Sequence, residues 1–176
     1  MNASFFIRLK AFLYDYLLIL GYIVLLIILS VFLIPAIQEL FTGSLLVAQL
    51  AGFALLTLPV LLYFAICDSS LVGQSFGKRK MGISVIDDTG SNPTLVRSIF
   101  RNALKFLPWE LSHYLVYRLV HLGDQFIPLT YTLLGVIIYG LMFTYILTAI
   151  FTKRKQSIYD MIVKTEVVKS MYQNTI

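Results

Sequence analysis

The sequence predicts an all-α membrane protein with four transmembrane helices, both chain ends cytoplasmic, and a small cytoplasmic β-hairpin or strand pair. Three observations predict it. Three apolar stretches are long enough to cross a hydrocarbon core, which takes about 20 helical residues. The basic residues gather in three clusters separated by those stretches, the pattern of cytoplasmic retention. Two short segments alternate apolar and polar residues with the period of a strand. The 176 residues are 59% hydrophobic and 13% charged, whereas soluble domains carry about 25% charged residues. The chain therefore reads as a single membrane domain over 1–176.

The first predicted span runs from Phe12 to Ile34 and stops near Pro35, with Asp15 as its only charge. Arg8 and Lys10 before an apolar run resemble the start of a signal peptide, but the run is too long and no small-residue cleavage site follows. It reads as a retained helix. The second span covers 44–66, with Pro59 a predicted kink because proline removes a helical hydrogen bond. The third, 104–122, contains Lys105, Glu110, His113, Arg118 and His121. The fourth covers 127–151 and carries no charge.

Topology decides the polar third segment. Arg8 and Lys10 precede the first span. Lys78, Arg79, Lys80, Arg97, Arg101 and Lys105 follow the second, and Lys153, Arg154, Lys155, Lys164 and Lys169 follow the last. If all three clusters are cytoplasmic, an even number of crossings separates 67–103 from the tail, so 104–122 must cross. The rival arrangement, an interfacial 104–122 helix with three spans, would put the basic tail outside. The net charge of +5 is thus a topology signal, with no nucleic-acid partner implied.

The cytoplasmic segment 67–103 has structure of its own. Gly82 to Asp87 alternates as a strand, and Asp87-Asp-Thr-Gly90 is a turn. Asn92-Pro93-Thr94 opens a helix that presents Arg97, Arg101 and Lys105 along one face. Thr165 to Lys169 is a second strand, so pairing of 82–87 with 164–169 would tie the tail to the loop.

Four groups of residues bear on chemistry. Arg8 lies seven residues before Asp15, two turns away on nearly the same helix face. The two read either as an architectural ion pair or as a cation or proton site, since an intramembrane carboxylate is costly and often functional. Gly73 to Gly82 superficially resembles a phosphate loop, but three residues separate Gly73 from Gly77 and Arg79 follows Lys78, so nucleotide binding is rejected. Lys78, Arg79 and Lys80 read instead as a contact for anionic lipid headgroups. Glu110, His113, Tyr117 and His121 form a polar stripe, either lining a cavity or lying in the interface beside Trp109. A metal site from Glu110, His113 and His121 has too few ligands to be favoured. Asp160 sits among basic residues and could pair locally with Arg154 or Lys164, or at long range with Arg8 or Arg101. No hydrolase, redox or dinucleotide motif is present, no cofactor is implied, and Cys67 alone excludes an internal disulfide.

Taken in order, Arg8-x-x-Ala11-x-x-x-Asp15, Gly73-Gln-Ser-x-Gly77-Lys78-Arg79-x-x-Gly82-Ile-x-Val85-x-Asp87, Arg97-x-x-x-Arg101-Asn102 and Gln156-Ser-Ile-Tyr-Asp160-x-x-x-x-Thr165-x-Val167-Val168 resemble the RDD family. The resemblance spans Arg8 to Val168 and carries the family's defining arginine and two aspartates onto Arg8, Asp15 and Asp160. Two departures stand out: a long hydrophobic insert from Trp109 to Ile150, and Tyr159 where histidine is common. The resemblance implies a multi-pass protein of the bacterial inner membrane, and for a few members cation/proton antiport has been proposed. The leading expectation is secondary transport of monovalent cations against protons, with Asp15 as carrier, Arg8 as counter-charge, and Glu110, His113 and Arg101 as an accessory polar path. A chain this small without internal repeats would work as a homo-oligomer. The alternative is a non-transporting scaffold or accessory subunit in which these charges only hold helices together. Neither reading is enzymatic.

Overall fold

The computed structural model describes residues 1–170. Helix α1 (Phe5–Ile28) continues through one π-helical turn (Leu29–Leu33) and is followed by the short α2 (Ala36–Thr42). Helix α3 (Leu45–Gly52), a second π-helical turn (Phe53–Thr57) and α4 (Leu58–Asp68) form one continuous rod. Next come α5 (Phe76–Lys80), β1 (Ile83–Asp87), α6 (Leu95–Leu122), α7 (Leu129–Phe151), α8 (Ile158–Val163) and β2 (Thr165–Lys169). Three helical stretches are long and apolar enough to cross a membrane: Phe5–Leu33, Leu45–Asp68 and Leu129–Phe151.

These rods are apolar all round. Helix α1 buries only Ala11 and Asp15, while Leu17, Phe32, Val136 and Phe151 are exposed on the outer surface. In water each such side chain would forfeit about 1.5–3 kcal/mol of burial. In lipid the same surface is matched to its solvent, so this is a membrane protein.

Two prolines sit inside helices, Pro59 in α4 and Pro108 in α6, and the same device accommodates each. Proline lacks an N–H and leaves the carbonyl four residues earlier without its helical donor. For Pro59 that carbonyl belongs to Leu55, and the Tyr22 hydroxyl donates to it at 2.7 Å. For Pro108 it belongs to Leu104, and Tyr145 donates to it at 2.8 Å. The π-helical turn at 53–57 just before Pro59 is the local adjustment that lets the rod continue. Each proline thus also fastens a neighbouring helix, α1 in one case and α7 in the other.

Helix α6 differs most from expectation. The predicted helix opening at Thr94 and the third segment are one 28-residue helix, capped by the Thr94 hydroxyl, which accepts from the Arg97 N–H. It lies antiparallel to the α3–α4 rod. Asp68 pairs with Arg101 at 2.9 Å, Thr57 donates to Glu110 at 2.6 Å, and Arg118 donates to Gln49 at 2.8 Å. Three polar rungs therefore run from one end of the rod to the other, and they explain how so polar a helix packs against an apolar one.

The predicted strand pair forms. β1 pairs antiparallel with β2, in register Ile83↔Lys169 through Asp87↔Thr165. The first residues join its other side, where Ala3 donates its N–H to Val167 and Lys169 donates to Met1. Ala3, Ala11, Ile83, Val85 and Val167 form a small core there, beneath the start of α1.

Candidate functional site

The buried charges collect at one end of the bundle, where α1 begins, α4 ends, α6 begins and α8 follows α7. Asp68 and Asp160 are fully buried there, and Arg101 is almost so. Arg101 bridges the two, with Nη1 on Asp68 Oδ2 at 2.9 Å and Nη2 on Asp160 Oδ1 at 2.7 Å. Lys78 pairs with the remaining Asp68 oxygen. Arg8 donates to the remaining Asp160 oxygen at 3.2 Å, and also to the carbonyls of Ala3 and Val167. The charges thus alternate along a chain: Lys78, Asp68, Arg101, Asp160, Arg8. Alternation lets each carboxylate meet two cations, which offsets the desolvation of burying it.

Local sequence sets each member. Asp160 is residue N3 of α8 and completes a capping box with Ser157, so it is fixed by the helix it helps start. Arg97, one turn before Arg101, donates to the carbonyls of Val163 and Lys164 at the other end of α8 and pairs with Asp87 and Asp88. Tyr159 lays its ring 5.3 Å from the Arg101 guanidinium and meets Tyr145 edge-on. The Lys78 ammonium is pushed below its ordinary range by burial, against the opposing pull of Asp68.

Asp15 stands apart from this chain. Its Oδ1 accepts from the Tyr63 hydroxyl at 2.8 Å and from the Gly77 N–H at 2.7 Å; its Oδ2 accepts from Ser75 at 2.6 Å. Among the described residues it has no ion-pair partner. The predicted Arg8–Asp15 pair is therefore corrected: Arg8 turns to Asp160, and Asp15 instead fastens α1 to α5. Gly77 makes that contact possible. A Cβ there would overlap the Ala11 carbonyl and come within 2.9 Å of Asp15 Oδ2, so only glycine lets α5 approach α1 this closely.

Two further side chains sit differently from expectation. Lys78 is not exposed beside Arg79 and Lys80; it is buried against Asp68 and over the Phe64 ring, while its two neighbours stay exposed. Arg101 is held by Asp68 and Asp160, and among the described residues it makes no hydrogen bond or ion pair with Glu110 or His113. Glu110 and His113 do come together, sharing the Thr57 hydroxyl at 2.6 and 3.4 Å. His121 is exposed, away from them, and among the described residues no three potential ligands gather to hold a metal. Of the alternatives for Asp160, the long-range ones hold: both Arg8 and Arg101.

Sequence reasoning missed Asp68, Tyr63 and Ser75. Asp68 had a readable signal, since it ends the second apolar run as Asp15 begins the first. Tyr63 and Ser75 had none, because hydroxyls near a membrane surface are common.

No curated protein and no solved structure matches the chain. The sequence model of the RDD family matches residues 2–164, a stretch that includes the alternating charge chain, the Asp15 anchor and the helices that carry them. The chain belongs to the RDD family.

Proposed function

We propose that this protein is a four-span scaffold or accessory subunit of the bacterial inner membrane, with its N-terminus and the β1–β2 sheet on the cytoplasmic side. Its Arg8, Asp15 and Asp160 lock the cytoplasmic end of the bundle. The three polar rungs between α6 and the α3–α4 rod support a fourth crossing, and the basic residues around the charged end support its cytoplasmic placement. Arg79, Lys80 and Lys153 are exposed at that end for anionic headgroups.

One observation carries the structural role. Every oxygen of Asp15, Asp68 and Asp160 already accepts from a donor within the chain. A transported cation or proton would have to compete with these donors for the remaining lone pairs.

Secondary transport is the second reading, favoured by the Thr57–Glu110–His113 cluster. It lies midway along the bundle beside an apolar cavity of about 170 Å3 lined by Tyr22, Trp109 and His113. Purified protein in liposomes with an internal pH dye, challenged with sodium, lithium and potassium, separates the two. The structural reading expects no cation-dependent pH change above that of empty liposomes. A flux that Glu110→Gln or Asp15→Asn abolishes in folded protein overturns it in favour of transport.

A further inference from the structure

The charge network leaves one cation over. Lys105 follows Arg101 by one turn of α6, and its ammonium stands 4.0 Å from the Phe64 ring centroid, 5.0 Å from Phe106 and 5.6 Å from Phe12. Ring faces attract a cation but leave its three N–H donors without strong acceptors. Among the described residues, Lys105 has neither a hydrogen bond nor an ion pair for that ammonium. Around it, Arg8, Lys78, Arg101 and Lys105 stand against the carboxylates Asp15, Asp68 and Asp160, an excess of one positive charge.

Lys105, Arg8, Lys78 and Arg101 also line one cavity of about 230 Å3. At about 30 Å3 per water, it has room for a phosphate group with some hydration. Asp15 lines the cavity too, but both its oxygens are committed to donors. Leu9 of α1 and Ile146 of α7 belong to the same lining and are each 40% exposed on the outer, apolar surface. A ligand held here would present its charge to Lys105 and its hydrocarbon to the bilayer.

We propose that this cavity binds a phosphate monoanion, the phosphodiester of an anionic phospholipid, with Lys105 as its principal ligand. One negative charge matches the excess, and the exposed apolar wall favours a lipid over a free ion. The inference rests on insertion of the bundle in a membrane and is independent of whether the protein transports.

The test uses the full chain in a neutral detergent, titrated with dioctanoyl phosphatidylglycerol, dioctanoyl phosphatidylcholine or inorganic phosphate. Thermal unfolding gives affinity and native mass spectrometry gives the number of lipids held. Phosphatidylglycerol is expected to raise the melting temperature saturably, with one lipid retained, at least about tenfold more tightly than phosphatidylcholine. Lys105→Gln should weaken that binding about tenfold, the loss of one charge-assisted hydrogen bond, while Lys105→Arg and the exposed control Lys169→Gln keep it. Without lipid, Lys105→Gln should melt no lower than wild type, because it removes an uncompensated charge. A merely structural Lys105 would lower it in both conditions. Equal binding of the two lipids by wild type overturns the proposal even if Lys105→Gln fails to fold. Unchanged binding in folded Lys105→Gln overturns it too. Lys105-dependent stabilisation by inorganic phosphate without lipid preference keeps the anion site and overturns the lipid source.

Discussion

Asp160→Asn is the sharpest probe of the charge chain. The substitution keeps size and shape but removes the charge that two arginines share. Arg101 holds Asp160 through Nε at 2.8 Å and Nη2 at 2.7 Å, and Arg8 holds the other oxygen at 3.2 Å. Removing one partner of a buried pair costs about 3–5 kcal/mol, because the remaining charge stays desolvated. Two features pull toward the lower end. Arg101 keeps Asp68, and Arg8 keeps the carbonyls of Ala3 and Val167. One feature pulls upward: an amide Nδ2 would now face an arginine N–H. About 3–4 kcal/mol is the expectation, or roughly 6–16 °C in melting temperature at 2–4 °C per kcal/mol for a chain of this size. The assay is reversible unfolding in mild detergent, followed by Trp109 fluorescence, of wild type, Asp160→Asn, Arg8→Met and the double variant. The double variant should cost clearly less than the sum, since Arg8→Met relieves one stranded charge. A loss under about 1 kcal/mol for Asp160→Asn, or strict additivity with Arg8→Met, would refute the reasoning.

Three more predictions follow from the same geometry. Arg8→Met and Asp15→Asn share no partner, so their costs should add within about 0.5 kcal/mol; a large coupling in unfolding free energy would restore a direct Arg8–Asp15 interaction. Gly77→Ala should cost about 1–3 kcal/mol, as the α1–α5 backbones are forced apart, and it should loosen Ser75 and Tyr63 as well, which hydrogen exchange at α5 would read. Thr89 hydrogen bonds, with Arg97, hold the Asp87 carboxylate below its ordinary value of 3.8. The folded state then takes up a proton less readily than the unfolded chain, so this contribution is complete above the unfolded value and fades as pH falls through the folded one. Thr89→Val removes the largest cause, and the stability it shows at neutral pH should fall less on acidification than that of wild type.

Much of the fold was written in local pattern. The apolar runs, the strand alternation at 83–87 and the Thr94 cap each depend on residues close in sequence, and each appears within a few positions of where it was predicted, except that α1 begins at Phe5, well before the first predicted span. Charge partners depend on which helices meet, and that is where the sequence misled. Arg8 and Asp15 share a helix face, which made a pair plausible, yet the close approach of α5 through Gly77 gave Asp15 other donors and freed Arg8 for a residue 152 positions away. Lys78 misled for the same reason. A basic run beside a membrane looks solvated until the buried Asp68 is known to lie opposite one of its members. Of the polar stripe of α6, Glu110 and His113 take their meaning from Thr57 on the rod beside them, while the other two rungs use Arg101 and Arg118, outside that stripe.

The fastening of the chain's first residues to β2 bears on how the protein is made. At about 5–20 residues per second, the 152 positions between Arg8 and Asp160 correspond to roughly 8–30 s of synthesis. Throughout that interval Arg8 is a charged group without its carboxylate, at the threshold of a helix already entering the bilayer. An unpaired guanidinium stays with water and headgroups, so in the proposed topology the delay would hold the start of α1 at the cytoplasmic surface. In that topology the late arrival of its partner would help to orient the first helix, and the charge chain is complete only when α8 has emerged.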